Sequence, residues 1–221
     1  MKQVKIISIE NVTHNVVHIK TEKPQGISYL PGQAADVSIK KPNWEKELRP
    51  FTFTSLPLNG YLEFFIKTYP EHNGVTEQIG KLKPNDTLFI GEVFGDIHYK
   101  DEGIFIAGGA GITPFIPIFK NLEKDSKLDN NKLIFANKTS DDIIERAFFN
   151  HLLGENFTNV LSEEKKMGYE YGYITKKLIK SHMENQNTYF YLCGPPPMID
   201  GVLKQLKELG IEDSKIVKEQ F

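Results

Sequence analysis

Residues Gly103 to Phe119, GIFIAGGAGITPFIPIF, constrain the fold more than any other stretch. Ile104, Phe105, Ile106 and Ala107 form a continuous apolar run of β-branched and aromatic character, the pattern of a strand buried on both faces of a parallel sheet. Gly108, Gly109 and Gly111 break the run, and Thr113-Pro114 restarts the chain as a helix, with Pro114 suited to the first helical position. Phe115, Ile118, Phe119 and Leu122 recur at i, i+3, i+4 and i+7, giving that helix one apolar face. Strand, glycine turn and helix N-terminus together suit a phosphate-bearing ligand. The same turn also serves tight packing with no ligand. It reads G-x-G-x-x-P from Gly109 to Pro114 and so lacks the third glycine of the dinucleotide fingerprint. Its glycines and two prolines argue against a membrane span.

Two rhythms flank this stretch. Before it, Val4, Ile6 and Ile7 lead to a turn near Asn11, and Val16, Val17 and Ile19 return. A turn at Tyr29–Gln33 feeds Ala35, Val37 and Ile39, and further strands run through Leu62–Ile66 and Leu88–Ile90. Short strands at this spacing predict a small antiparallel barrel, interrupted by a helix beginning at Gly74-Val75-Thr76. After about Lys100 strands alternate with helices. Strands are expected at Leu133–Ala136, Phe157–Leu161, Thr188–Leu192 and Lys215–Lys218. Helices are expected through Ile144, Ala147, Phe148 and His151, behind a Thr139/Asp142 capping box, then at Ile174–Met183, and through Ile199, Val202, Leu203 and Leu206. Glu123–Asn131 reads as a solvated loop. The expected class is β plus α/β: an N-terminal antiparallel β-barrel over residues 1–100 and a C-terminal parallel-sheet α/β domain over residues 101–221.

Charge and cysteine content remove several function classes. A net charge of -2, with basic residues interleaved among acids, gives no electrostatic case for nucleic acid or an anionic membrane. The N-terminal residues alternate like a strand rather than a signal peptide. The one cysteine, Cys193, leaves no internal disulfide and no four-cysteine cluster within the chain, and the six histidines have no metal-ligand spacing. The expectation is a cytoplasmic, monomeric protein with no metal site.

Four further stretches carry chemistry. Arg49-Pro50-Phe51-Thr52-Phe53-Thr54 places aromatic rings and hydroxyls on opposite faces of a strand behind a guanidinium suited to pyrophosphate. Ile66-Lys67-Thr68-Tyr69 ends another strand with a lysine and a phenol. Asn73-Gly74-Val75-Thr76 opens a helix, with Thr76 expected as its cap and a phosphate donor. Cys193-Gly194-Pro195-Pro196-Pro197-Met198 follows a buried strand and enters a helix whose first residues tolerate proline.

These stretches, in this order, resemble the ferredoxin–NADP(+) reductase superfamily, including its NADH–cytochrome b reductase branch, in which RPFT at Arg49–Thr52 is nearly RPYT. The resemblance implies FAD bound by Arg49, Pro50, Phe51, Thr52, Lys67, Tyr69, Gly74, Val75 and Thr76, with Phe221 shielding the flavin. It implies NADH or NADPH bound by Gly109, Gly111, Ile112, Thr113, Pro114, Ser162, Glu163, Cys193, Gly194, Pro195 and Met198. Thr52, Cys193 and Glu219 would form the hydride-transfer set. Ser162-Glu163 stands where NADPH-using relatives carry Ser-Arg, which favours NADH, although Lys138, Lys165 or Lys166 could still meet a phosphate. The implied activity passes hydride from NAD(P)H to FAD and single electrons to a separate acceptor, a flavodoxin or ferredoxin first. A cytochrome, an oxygenase component or free flavin is the alternative acceptor, and a non-catalytic NAD(P)H-sensing or docking module is a reading of another class.

Overall fold

Alternating apolar residues build the first half of the chain into an antiparallel sheet, as seen in a computed structural model that describes residues 1–128 and 130–219. Its strands are β1 (Lys2–Thr13), β2 (Val16–Glu22), β3 (Ala34–Ile39), β4 (Arg49–Thr52), β5 (Tyr61–Lys67) and β6 (Thr87–Phe94), with the short helix α1 (Val75–Ile79) before β6. Among the described residues they form one six-stranded sheet of order β4-β3-β6-β1-β2-β5. Just beyond β4, Thr54 N–H donates to Glu63 O on β5 at 2.8 Å, so the two edge strands meet and the sheet closes on itself. Closure removes the exposed edges that an open sheet would present. Val4, Ile6, Ile19, Val37, Leu62, Phe64, Ile66, Leu88 and Ile90 fill the interior, each contributing about 1.5–3 kcal/mol by leaving water. The β1–β2 turn falls at His14-Asn15 rather than near Asn11. Thr13 makes that possible, since its hydroxyl bonds both the Asn15 side chain and the Asn15 N–H.

The second sheet is parallel, as the apolar run at Gly103 requires. Its strands are β7 (Gly103–Gly108), β8 (Lys132–Asn137), β9 (Phe157–Leu161), β10 (Glu170–Tyr171), β11 (Tyr189–Cys193) and β12 (Ile216–Lys218). Their order is β10-β9-β8-β7-β11-β12. The connecting helices are α2 (Phe115–Lys124), α3 (Arg146–Leu153), α4 (Lys176–His182) and α5 (Pro196–Glu208). All six residues of β7 are buried, and Phe105 stacks on Tyr191 of β11 at 4.2 Å. Two compact units result. One is Met1–His98 with Thr113–Asn121, and the other is Tyr99–Ile112 with the chain from Leu122 onward.

Three local expectations change. The glycine turn after β7 is a 3-10 turn over Gly109–Ile112, and α2 begins at Phe115, one residue beyond Pro114. Helix α2 keeps the apolar face of Phe115, Ile118, Phe119 and Leu122 that its spacing suggests and buries Ile116 and Pro117 beside it, while Lys120, Asn121, Glu123 and Lys124 stay partly or fully exposed. The Thr139/Asp142 capping box exists, but it caps a 3-10 turn over Ser140–Asp142. Extended Ile143 then separates that turn from α3, which starts at Arg146 and buries Phe149 and Leu153 in place of Ala147 and Phe148. Asn131, read as loop, is fully buried. Its Oδ1 accepts from Gly103 N–H at 3.1 Å, and its Nδ2 donates to Tyr99 OH and Leu128 O. A buried amide with all these partners latches the start of β7.

Candidate functional site

In the parallel sheet the connections from β7 run to β8 and β9 on one side, while β11 and β12 lie on the other. The strand order therefore reverses between β7 and β11, and the crevice beyond the carboxyl ends of these strands is where such sheets take ligands. Gly109–Ile112 follows β7 and Gly194–Met198 follows β11, so both glycine motifs open at this reversal. They also touch. A Cβ on Gly111 would stand 2.3 Å from Cys193 O and 2.7 Å from Gly194 Cα. One on Gly108 would stand 2.5 Å from Met198 Sδ and 2.9 Å from Pro195 Cδ, and one on Gly194 would stand 3.0 Å from Gly108 N. Only glycine permits this approach at Gly111. Gly109 differs, with φ +52° and open space beside its Cα.

The two loops divide the work. At the start of α5, Pro195, Pro196 and Pro197 have no N–H, and the N–H groups of Met198 and Ile199 both go to Pro195 O. This helix therefore offers rigidity in place of an anion-binding terminus. Cys193 ends β11, and burial together with the Glu219 carboxylate pushes its thiol up to about 12, so the group is a neutral S–H at physiological pH. Further along the carboxyl edge, Ser162 and Glu163 follow β9, and their N–H groups bond Asn137 O and Lys138 O. Glu163 pairs with Lys138 at 2.9 Å. Behind it Glu164 accepts from Ser140 N–H at 2.6 Å, and Lys166 donates to Ser140 Oγ at 2.7 Å. Sequence reading named these lysines without their acidic partners. Side chains 25 positions apart meet here only because β8 and β9 are neighbours.

The barrel unit gathers the other predicted residues. Arg49 and Pro50 are exposed on β4, and Phe51 and Thr52 are half-buried. Arg49 donates from Nη1 to Leu48 O at 2.6 Å and pairs through Nη2 with Glu47 at 3.6 Å. Phe53, on the side of the strand shared with Phe51, stacks on Tyr29 at 4.2 Å in the core. Lys67 closes β5 with its ammonium 6.0 Å from the Tyr69 ring, and Tyr69 is exposed. Thr76 is not the cap of α1. That position belongs to Gly74, in extended conformation with no side-chain cap, and Thr76 lies inside the helix. Thr113 and Pro114 group with this unit rather than with the glycine turn, and Thr113 Oγ donates to Thr52 Oγ at 3.3 Å. Phe221 lies outside the described residues. Among the described residues no trio of His, Cys, Asp and Glu side chains could hold a metal ion, and no helix is long and apolar enough to cross a membrane.

Comparison with known proteins matches both halves. Residues 1–92 fit the FAD-binding domain family, and residues 105–204 fit the oxidoreductase NAD-binding domain family. The chain is 31% identical to NADH-cytochrome b5 reductase 2 of Mycosarcoma maydis over 88% of its own length and 61% of that protein's. It is also 31% identical to NADH-cytochrome b5 reductase 2-B of Vanderwaltozyma polyspora, over 96% of its own length and 80% of that protein's. The chain belongs to the ferredoxin–NADP(+) reductase superfamily. A crystal structure of a ferredoxin NADP+ reductase from Neisseria gonorrhoeae with bound FAD and NADP has the same fold, with TM-score 0.86 at 17% identity over 99% of this chain and 97% of that one. The chain thus spans about three-fifths of the first of these relatives.

The residues of this reductase-superfamily chain fit the two nucleotides that its domain families bind. Arg49, with five N–H donors in a planar fork, is exposed on the barrel beside half-buried Phe51 and the Thr52 hydroxyl, a donor set for a pyrophosphate and a ring. At the β7–β11 reversal, Gly108, Gly111 and Gly194 let the two loops pack directly on each other, while Gly109 leaves open space beside its Cα. Open backbone at such a turn suits the close approach of a dinucleotide.

Proposed function

We propose that this chain is an FAD-dependent oxidoreductase that draws electrons from NADH and passes them singly to a separate acceptor protein. The observation that carries the reading is the backbone approach of Gly111 to Cys193–Gly194, which joins the two nucleotide motifs at the strand-order reversal. Residues 1–100 serve as the FAD-binding domain and residues 101–221 as the NAD(P)-binding domain. Arg49 neutralises the FAD pyrophosphate, and Gly74, Val75 and Thr76 serve its other side. Pro50, Phe51, Lys67 and Tyr69 pack on or bond the rest of the cofactor. Gly109, Gly111, Ile112, Gly194, Pro195 and Met198 hold the nicotinamide nucleotide.

Bound FAD supplies what side chains lack, acceptance of a hydride and release of electrons one at a time. The protein's part is alignment and exclusion of water. Thr52 presents a hydroxyl. Cys193 presents a neutral thiol, kept protonated by burial and by the Glu219 carboxylate. Preference for NADH follows from charge. Glu163 repels a 2′-phosphate and accepts from a free ribose hydroxyl, while Lys138 is held by Glu163 and Lys166 by Ser140 and Glu164.

A flavodoxin- or ferredoxin-type protein is the first acceptor class. The 31% identity to two NADH-cytochrome b5 reductases supports a small cytochrome as the second. The test is purified protein incubated with FAD, gel-filtered, then given NADH anaerobically with each acceptor in turn. Retained yellow colour, bleaching by NADH and reduction of one acceptor class are expected. A colourless protein that takes up no FAD sinks the proposal, and bleaching with no protein acceptor reduced removes its acceptor half.

A further inference from the structure

The GGAGITP motif assigns Thr113 to the nicotinamide nucleotide, yet its hydroxyl points elsewhere. Within the barrel unit Thr113, 8% exposed, donates to Thr52 Oγ at 3.3 Å. A threonine hydroxyl has one proton and two lone pairs. A proton donated to Thr52 Oγ is not at the same time donated to a phosphate oxygen. Thr52, as acceptor, keeps its own proton for a different partner.

A second contact fixes this arrangement. Seven residues on, Lys120 Nζ donates to Thr54 O at 3.0 Å and pairs with Glu63 Oε2 at 3.2 Å. Thr113 lies in the turn that leads into α2, and Lys120 lies within that helix. The chain from Thr113 to Lys120 is therefore fastened at two points to the residues that follow Arg49. Glu63 makes the lower fastening firm. Burial raises its carboxyl, but the His18 contact and Lys120 outweigh burial and hold it down at about 2, so it stays charged.

We propose that Thr113 is a positioning residue for the flavin end of the reaction, fixing the Thr52 hydroxyl so that its proton faces bound FAD, rather than a phosphate donor to the nicotinamide nucleotide. The inference rests on the reading above that Thr52 contacts FAD. Its test uses the full-length, FAD-loaded protein and the variants Thr113→Val, Thr113→Ser and Thr52→Val. The readouts are FAD affinity, the visible flavin spectrum, the N5 resonance of 15N-labelled FAD, NADH affinity, and the flavin reduction rate at saturating NADH. Thr113→Val is expected to shift the N5 resonance as Thr52→Val does and to slow saturated reduction about tenfold, one lost hydrogen bond, with NADH affinity within about twofold of wild type. Thr113→Ser restores both signals. The double variant Thr52→Val/Thr113→Val falls no further than Thr52→Val alone, because Thr113 acts through Thr52. The inference is overturned if FAD-loaded Thr113→Val keeps the wild-type N5 resonance and saturated rate, whether or not NADH binding weakens. If valine prevents folding, Thr113→Ala is read by the same criteria. Failure of the underlying reading looks different, since Thr52→Val itself would then leave the N5 resonance at its wild-type position.

Discussion

Replacing Gly111 by alanine tests the junction of the two nucleotide loops. The added Cβ would lie 2.3 Å from Cys193 O, 2.5 Å from Cys193 C and 2.7 Å from Gly194 Cα. Carbon atoms rest about 3.5–4.0 Å from their non-bonded neighbours, so the β7 and β11 loops must separate by roughly 1 Å. The obstructing atoms are all backbone at the end of a paired strand, and no side chain can swing aside. Overpacking of this kind costs about 1–3 kcal/mol, a fall in melting temperature of roughly 2–12 °C at about 2–4 °C per kcal/mol for a chain of this size. Function is more sensitive, since a 1 Å misplacement can cost about 100-fold in rate. The assay is stopped-flow reduction of the FAD-loaded variant by NADH, alongside FAD content and thermal melting. FAD content should match wild type, because Gly111 and Arg49 lie in different units, while NADH-driven reduction drops by one to two orders of magnitude. Gly109→Ala is the comparison. It meets no atom within 4 Å but forces alanine to φ +52°, a strain of about 1–2 kcal/mol with no loop separation. Gly111→Ala with wild-type melting and NADH kinetics would refute the steric argument.

Three further outcomes follow from the same structure. Arg49→Ala should raise the FAD dissociation constant roughly 10–100-fold, the loss of a charge-assisted hydrogen bond, and unchanged FAD retention in a titration would remove Arg49 from the site. Glu163→Arg should shift the ratio of NADPH to NADH efficiencies at least about tenfold towards NADPH, since it removes a carboxylate and releases Lys138; an unmoved ratio would exclude Glu163 from specificity. His18 gives a pH dependence. The Glu63 contact raises its pKa from 6.5 against the opposing effect of burial, Glu10 adds to the rise, and its ring stacks on Phe65. Its stabilising charge is complete below pH 6.5 and lost as pH climbs through the raised value, less than about 1 kcal/mol for a partly solvated pair. Melting temperature should therefore fall slightly from pH 6 to pH 9 in wild type and stay flatter in His18→Gln, and equal slopes in both would contradict the assignment.

Much of the architecture was legible because it is written in local periodicity. Four apolar residues and three glycines at Ile104–Gly111 could belong only to a buried strand and a close turn, and β9 begins and ends where Phe157 and Leu161 place it. Alternation of apolar residues likewise located β3, β5 and β6. What local pattern missed depended on tertiary partners. Asn131 looks like loop until Gly103 and Tyr99 are brought to it from another strand end. The helical spacing of Ile144 and Phe148 was overridden because Glu145 adopts φ +54° and restarts the chain, turning Phe149 inward. Thr76 seemed a cap because capping residues are usually Ser or Thr, but Gly74 already supplies the extended conformation there. The glycine and proline motifs picked out the two loops that meet at the strand-order reversal, since their backbone demands are visible in residue type. The pairs Thr52–Thr113 and Lys138–Glu163 were not visible, because residues 61 and 25 positions apart leave no periodic trace.

The central claim is hydride transfer from a nicotinamide nucleotide to FAD on this chain. It is tested most directly by mixing the FAD-loaded protein anaerobically with NADH, and with NADH deuterated at the transferred position, while following the flavin absorption band. The account predicts complete bleaching by NADH, slowed several-fold by deuterium. A flavin that stays oxidised at saturating NADH and NADPH would contradict it.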